Sequence, residues 1–132
     1  RNQQICLWLT TLLNAAQTHD LQSANHNALD SLQNLCPYES GYESNPKYLC
    51  KGECKFGSRN IMVKSGSPAK DQRFSLSDDT TARVFTVTVT ITDLRTEDEG
   101  QYWCAVERTL PDVYSEILFI KNLEDCIWLG LG

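Results

Sequence analysis

The chain has 132 residues and a formal net charge of −5, a length that fits one compact domain better than two. Its 12 basic residues form no cluster, which argues against a nucleic-acid partner or a polybasic membrane surface. Six cysteines in so short a chain favour disulfides in an oxidising compartment, so the sequence predicts a secreted or extracellular protein.

The N-terminal segment, residues 1–31, is difficult to assign. Residues 5–16 have the length of the hydrophobic part of a signal peptide, with Arg1 before them and Ala15 and Ala16 after them. A buried helix or strand explains the same residues equally well, and residues 17–31 are polar without a clear period. No apolar run reaches the roughly 20 residues of a transmembrane helix, so any membrane anchor is expected outside this sequence.

From residue 32 onward, short segments rich in β-favouring residues alternate with turn residues, which is typical of an all-β sandwich. The clearest strand is at residues 84–91, where Phe85, Val87, Val89 and Ile91 alternate with threonines. Further strands are predicted at residues 48–51, 60–64, 73–77, 101–107 and 116–121. The predicted domain spans residues 32–121, and residues 122–132 are interpreted as a tail or a truncated linker.

The most specific motif lies before and within one of these strands. Asp98, Gly100, Tyr102 and Cys104 follow Leu94 at two-residue intervals. Alternate residues of a strand share a face, so Tyr102 and Cys104 are expected to point into the same core, as in a tyrosine corner. Gly100 suits the tight turn that opens the strand.

With this motif, the sequence resembles the V-set immunoglobulin domains of the polymeric immunoglobulin receptor and the related mono-immunoglobulin leukocyte receptors. The resemblance covers about residues 36–121. It rests on CPY at 36–38, KYLCKGEC at 47–54, RFSLSDD at 73–79, VFTVTVTI at 84–91 and EDEGQYWC at 97–104. The cysteine pair within KYLCKGEC narrows the resemblance to this branch, and the fold implied is a V-type immunoglobulin β-sandwich.

The resemblance implies several structural roles. Cys36 would pair with Cys104 between the two sheets, and Cys50 with Cys54 within one turn. Arg73 would form a bidentate ion pair with Asp98, next to the corner tyrosine, Tyr102.

Four positions depart from the family pattern. Leu49 stands where the family usually has a core Trp, and Asn34 occupies an inward position of the strand before Cys36. Cys6 and Cys126 have no counterpart in the family. They are left to pair with each other, to pair between chains, or to remain free.

Metal and catalytic alternatives are weaker. Cys50 and Cys54 with His19 or His26 would offer zinc ligands, but structural zinc sites favour two tight ligand pairs, and only one is present. The histidines lack a nucleophile motif, and the adjacent carboxylates at residues 97–99 point to different faces. The sequence therefore predicts neither a metal, nor a cofactor, nor an enzyme.

The function implied is recognition by an immune-type receptor ectodomain at the cell surface, or by a secreted domain, through loops at one end of the sandwich. The partner would be a protein, an immunoglobulin or a lipid head group, with a signalling adaptor reached through a missing transmembrane segment. The alternative is a soluble decoy or a disulfide-linked dimer. The loops are residues 39–45 and 107–114, and the predicted contacts are Tyr42, Glu43, Glu107, Arg108, Leu110, Asp112 and Tyr114.

Overall fold

The computed structural model describes residues 5–9, 31–55, 57–90, 94–109 and 111–122. These form eight strands and a 3₁₀ turn at Thr96–Asp98. The strands are β1 Ile5–Leu9, β2 Ser31–Pro37, β3 Lys47–Lys51, β4 Asn60–Lys64, β5 Phe74–Asp79, β6 Val84–Thr90, β7 Gly100–Val106 and β8 Val113–Asn122. The predicted all-β fold is confirmed.

The strands form two antiparallel sheets. One has five strands in the order β1-β8-β7-β3-β4, and the other has three in the order β2-β6-β5. β5 and β7 both start at the same end of the sandwich. The residues before these strands therefore lie at that end, and the residues after them lie at the opposite end. We call these the clamp end, around Arg73 and Asp98, and the loop end, formed by residues 38–46 and 107–112.

The core lies between the sheets and follows from the period-two pattern. In β6, Phe85, Val87 and Val89 are buried, and the threonines between them are partly exposed. Leu49 of β3 is also fully buried and lies opposite Cys104 of β7. Leu49 therefore fills the position at which the family pattern predicts a tryptophan, with less apolar area to bury.

A second apolar cluster covers the outer face of the five-stranded sheet. Tyr48, Cys50, Cys54 and Ala105 are buried there, with Ile61, Trp103 and Tyr114 packed against them. Residues 47 to 50 of β3 are consequently all buried. The alternation expected of a half-exposed strand is lost in β3 because both of its faces are covered.

Two strand boundaries next to the loop end differ from the sequence prediction. β3 begins at Lys47, one residue earlier than predicted, and β8 begins at Val113, three residues before the predicted start at residue 116. β8 begins early because Val113 pairs with Val106 across a short connection. Residue 91, the predicted end of the clearest strand, lies outside the described residues.

The N-terminal segment contributes a strand rather than a helix where it is described. Ile5–Leu9 pairs antiparallel with β8, in a register that places Cys6 opposite Lys121. Of the helix and the strand that the sequence left open, these five residues form the strand. The remaining residues up to 30, and the predicted tail from residue 123, lie outside the described part, so the predicted domain boundaries stay a prediction.

Candidate functional site

The tyrosine corner opens β7 at the clamp end. The Tyr102 hydroxyl donates to the Asp98 carbonyl oxygen at 2.6 Å, and the Tyr102 ring stacks on Phe74 with centroids 6.0 Å apart. Gly100 has φ 143°, and a Cβ there would lie 3.1 Å from Cε of Lys51. Glycine is therefore required both by the backbone conformation and by the close approach of the lysine.

Arg73 sits between two carboxylates at the clamp end. Its Nη1 and Nη2 donate to Asp98 at 2.6 and 3.0 Å, and its Nη2 and Nε donate to Asp71 at 2.6 and 3.0 Å. The Arg73 hydrogen bonds lower the pKa of Asp71 to about 2. The fork geometry that the resemblance implied for Arg73 and Asp98 is present, and Asp71 is an additional partner that the sequence did not indicate.

The cysteines of the described residues fall into two pairs. Cys50 and Cys54 form a disulfide whose turn accepts a hydrogen bond at the Gly52 carbonyl oxygen from Nε1 of Trp103 at 2.8 Å. Cys36 and Cys104 are buried free thiols in this structure. The hydrogen bond between these two thiols, together with burial, raises the pKa of Cys36. Their proximity fits the predicted disulfide, which stays a prediction.

The zinc alternative combines Cys50 and Cys54 with a histidine, and the extra cysteines are Cys6 and Cys126. Because Cys50 and Cys54 are joined in a disulfide, neither sulfur is a thiolate that could bind a metal. His19, His26 and Cys126 lie outside the described residues. The pairing of Cys6 and Cys126 therefore stays open.

A fully buried lysine anchors the first loop of the loop end. Nζ of Lys47 donates to the Asn45 carbonyl oxygen at 2.8 Å and to the Asp78 carboxylate at 2.7 Å, and lies 4.1 Å from the centroid of the Tyr38 ring. The Tyr38 hydroxyl donates to the other Asp78 oxygen at 2.8 Å. Burial and this carboxylate raise the pKa of Tyr38 to about 12. Lys47 thereby ties the loop of residues 38–46 to β5 in the opposite sheet.

The Asp112 carboxylate holds the second loop. One oxygen accepts from the Arg108 backbone amide at 3.0 Å, and the other accepts from the Tyr48 hydroxyl at 2.5 Å and from Nη1 of Arg59 at 2.6 Å. Since the Tyr48 proton goes to Asp112, the Tyr114 hydroxyl is the donor in the 3.0 Å contact with Tyr48. Burial, followed by the bond to Asp112, raises the pKa of Tyr48. The loop is thus closed by internal hydrogen bonds.

Arg108 and Tyr42 join the two loops. Nη1 of Arg108 donates to the Tyr42 hydroxyl at 3.0 Å, and the guanidinium carbon lies 5.6 Å from the ring centroid. The Asn45 side chain adds a second link by donating to the Glu107 carbonyl oxygen at 2.8 Å. Both Tyr42 and Arg108 are half-buried, so the two loops form one continuous surface.

The remaining predicted contact residues have internal partners of their own. Glu43 accepts from the Gly41 amide at 2.9 Å and lies 3.8 Å from Nη1 of Arg83, and backbone amides lower the pKa of Glu43. Glu107 pairs with Lys64 at 2.7 Å. Leu110 lies outside the described residues.

Sequence reasoning missed four residues that shape the loop end: Lys47, Tyr48, Arg59 and Asp78. Lys47 and Asp78 both lie within segments that carry the family resemblance. However, a lysine at the start of a strand and an aspartate at the end of one are typical of solvated positions. Their burial depends on contact between the two sheets, which no local pattern reports.

Comparisons with known proteins agree with the fold. The sequence-family model of the immunoglobulin V-set domain matches residues 32–118. Human CMRF35-like molecule 7 is 33% identical over 97 residues, 71% of this chain and 47% of that protein. Human CMRF35-like molecule 1 is 32% identical over 111 residues, 83% of this chain and 38% of that protein. The chain thus spans about half or less of the length of these relatives.

Two further matches extend the comparison. Human natural cytotoxicity triggering receptor 2 is 40% identical over 67 residues, 46% of this chain and 24% of that protein. The crystal structure of the second Ig domain of the mouse polymeric immunoglobulin receptor superposes with a TM-score of 0.52 at 21% identity, over 66% of this chain and 82% of that one. The structural likeness concerns the fold alone. Together, these matches confirm the resemblance found in the sequence.

Proposed function

We propose that this chain, which belongs to the immunoglobulin V-set family, is the ectodomain of an immune-type cell-surface receptor and binds a protein ligand through its loop end. The observation that carries the proposal is the state of the two loops. Lys47 and Asp112 hold the two loops through hydrogen bonds to their backbones. Tyr42 and Arg108 join the loops at a half-exposed position. A surface fixed before binding loses little conformational entropy on contact.

The residue types at this surface suit recognition. Tyrosine and arginine are enriched among residues that dominate the energy of protein interfaces. The Arg108 guanidinium also bonds to the Tyr42 hydroxyl and lies 5.6 Å from the centroid of the Tyr42 ring, so each side chain restrains the other. A ligand pressed onto this pair would meet aromatic area and charged donors together.

The chain is not an enzyme, since the V-set family and the receptor relatives are binding proteins. At the loop end, the carboxylates of Asp78 and Asp112 are engaged in internal hydrogen bonds. We therefore propose that these two carboxylates hold the loops in place.

We place the domain on the extracellular face of the plasma membrane or in secretions, with signalling through an adaptor as part of the same proposal. The names of the relatives, which include a cytotoxicity triggering receptor, support this placement. Among the residues that the structure describes, none belongs to a helix with the length and apolar character needed to cross a bilayer.

The proposal is tested by screening the domain, displayed as a multimer, against an array of cell-surface ectodomains. We expect at least one ectodomain to bind, and Tyr42→Ala to lower that affinity by about tenfold or more, as for a hot-spot residue. Lys70→Ala, at an exposed position near the clamp end, is the matched control and should leave the affinity unchanged within about twofold.

Two results would count against the proposal. One is an array without any binder. The other is a binder whose affinity is lowered by Lys70→Ala but is unaffected by Tyr42→Ala, because contact would then be made at the clamp end. Thermal unfolding of each variant shows whether a loss of binding reflects a loss of folding.

A further inference from the structure

Four carboxylates around the loop end form ion pairs, and one of the cations described there, Arg108, pairs with no carboxylate. Four carboxylates each have their own cation: Asp78 with Lys47 at 2.7 Å, Asp112 with Arg59 at 2.6 Å, Glu107 with Lys64 at 2.7 Å and Glu43 with Arg83 at 3.8 Å. Arg108 is the fifth cation here, and its guanidinium bonds to the neutral Tyr42 hydroxyl. Within the described ranges, no carboxylate pairs with that guanidinium.

The free hydrogen-bonding capacity of Arg108 and Tyr42 consists of donors. A guanidinium carries five N–H groups and no acceptor, and one of those of Arg108 goes to Tyr42. The Tyr42 oxygen accepts that bond, so its own proton remains available. A planar cationic fork beside a phenol proton matches a planar, bidentate carboxylate.

This pair is also held in place before any ligand arrives. The Arg108 backbone amide is bonded to Asp112, and the guanidinium rests 5.6 Å from the centroid of the Tyr42 ring. An arginine fixed at both its backbone and its head group loses less side-chain entropy on binding than a free surface arginine. The position therefore differs from that of an ordinary solvated cation.

An anionic group that binds Arg108 could be a carboxylate of a protein or a phosphate of a membrane lipid, and the charge of the whole chain favours the protein. The chain carries a formal charge of −5, and exposed Glu39 and Asp79 flank the loop end in addition to the four paired carboxylates. A uniformly anionic membrane surface would meet net repulsion here, whereas a single carboxylate reaching Arg108 would not. We infer that Arg108, positioned by Tyr42 and Asp112, binds one carboxylate of an acidic side chain on the protein ligand, an inference that rests on the proposed function.

The test uses defined probes and the full chain. A peptide of alternating Gly and Glu is titrated against immobilised domain, with the Gly and Gln peptide as the neutral control and phosphatidylserine-containing vesicles as the membrane source. In a separate measurement on the wild-type domain in solution, nuclear magnetic resonance should show the Nε–Hε signal of Arg108 shifting with the Glu peptide and staying in place with the Gln peptide.

Substitutions then assign the effect to Arg108. We expect Arg108→Gln to lower the affinity for the Glu peptide by roughly tenfold, and Arg108→Lys, which keeps the charge without the fork, to give an intermediate loss. Arg95→Gln removes the same charge from an exposed position at the clamp end and should change the affinity by less than about twofold. Unfolding curves confirm that each variant is folded.

Each other outcome overturns the inference. Equal losses in Arg108→Gln and Arg95→Gln would indicate unspecific attraction. If the Gln peptide bound as strongly as the Glu peptide, a carboxylate would not be the group that is recognised. If only the vesicles bound, the anionic group would come from a membrane and not from a protein. A Tyr42-dependent ectodomain that binds Arg108→Gln as well as the wild type would leave the proposed function intact while removing this inference.

Discussion

At the clamp end, one arginine is shared by two carboxylates, whereas at the loop end four carboxylates each have a separate cation and a fifth cation remains. At the clamp end, the guanidinium of Arg73 donates to both Asp71 and Asp98. At the loop end, the guanidinium of Arg108 donates one hydrogen bond to Tyr42 and keeps its other N–H donors. Internal pairing therefore stabilises both ends, and the two ends differ in the donors that Arg108 retains, which the proposed function assigns to a ligand.

The largest effect is expected for Lys47→Ala at the loop end. Removing this fully buried cation leaves the Asp78 carboxylate without its ion pair, at a cost of about 3–5 kcal/mol in the free energy of unfolding. Lys64→Ala is the control, since the Lys64 and Glu107 side chains are about one-third exposed and such pairs contribute about 0–1 kcal/mol. If the two variants unfolded at the same denaturant concentration, Lys47 would not be the residue that anchors the loop of residues 38–46.

A smaller loss is expected at the clamp end for Arg73→Ala, about 2–3 kcal/mol, because the buried Asp98 carboxylate keeps the Arg95 amide as a donor. Arg73→Lys retains the charge and should lose about half as much. Arg83→Ala, at an exposed pair 3.8 Å apart, is the control and should change stability by less than about 0.5 kcal/mol. If Arg73→Ala unfolds at the wild-type denaturant concentration, the clamp is only an exposed ion pair.

Between the two ends lies a buried polar atom that has no such pairing. Nδ2 of Asn34 is buried without a hydrogen-bond partner among the described residues, opposite Val87 in the register of β2 and β6. We expect Asn34→Val to stabilise the domain by about 1 kcal/mol, because it removes this unpaired group. Gln33→Val, on the exposed face of the same strand, is the control for strand propensity. An equal gain in both variants would assign the effect to propensity.

The smallest effect is a pH dependence at the clamp end. The pKa of Asp71 is lowered to about 2 in the folded state from an ordinary value of 3.8. Its contribution is therefore complete above the ordinary value and disappears as the pH falls through the folded one. With screening of this partly exposed group, we expect about 1 kcal/mol.

Unfolding midpoints between these two pKa values should fall more steeply in the wild type than in Asp71→Asn. Glu53→Gln, at a highly exposed position, should leave the slope unchanged. A wild-type slope that survives Asp71→Asn would place the acid sensitivity elsewhere in the molecule.

The same contrast between the two ends explains what the sequence could predict. The clamp end was accessible because Asp98, Gly100 and Tyr102 follow a local period of two, and the family pattern supplied Arg73. The position of Leu49 in the core was equally accessible, since Leu49 stands where the family usually has a core Trp.

The loop end was largely inaccessible to the same reasoning. Lys47 and Asp78 are 31 residues apart, and they meet only when the two sheets pack. Asp112 was predicted to contact ligand because it lies in a loop, but its bonds to Tyr48 and Arg59 depend on the covered outer face of the sheet. The connections at this end are therefore properties of the tertiary structure.

Hydrogen exchange at the Arg108 amide, measured in the wild type and in Asp112→Ala, shows whether the loop end is fixed before binding. We expect protection in the wild type and exchange about fivefold faster in the variant, corresponding to the loss of a hydrogen bond of about 1 kcal/mol. Exchange of the wild-type Arg108 amide at the rate of an unstructured chain would contradict this expectation, because Asp112 would then not be holding the loop.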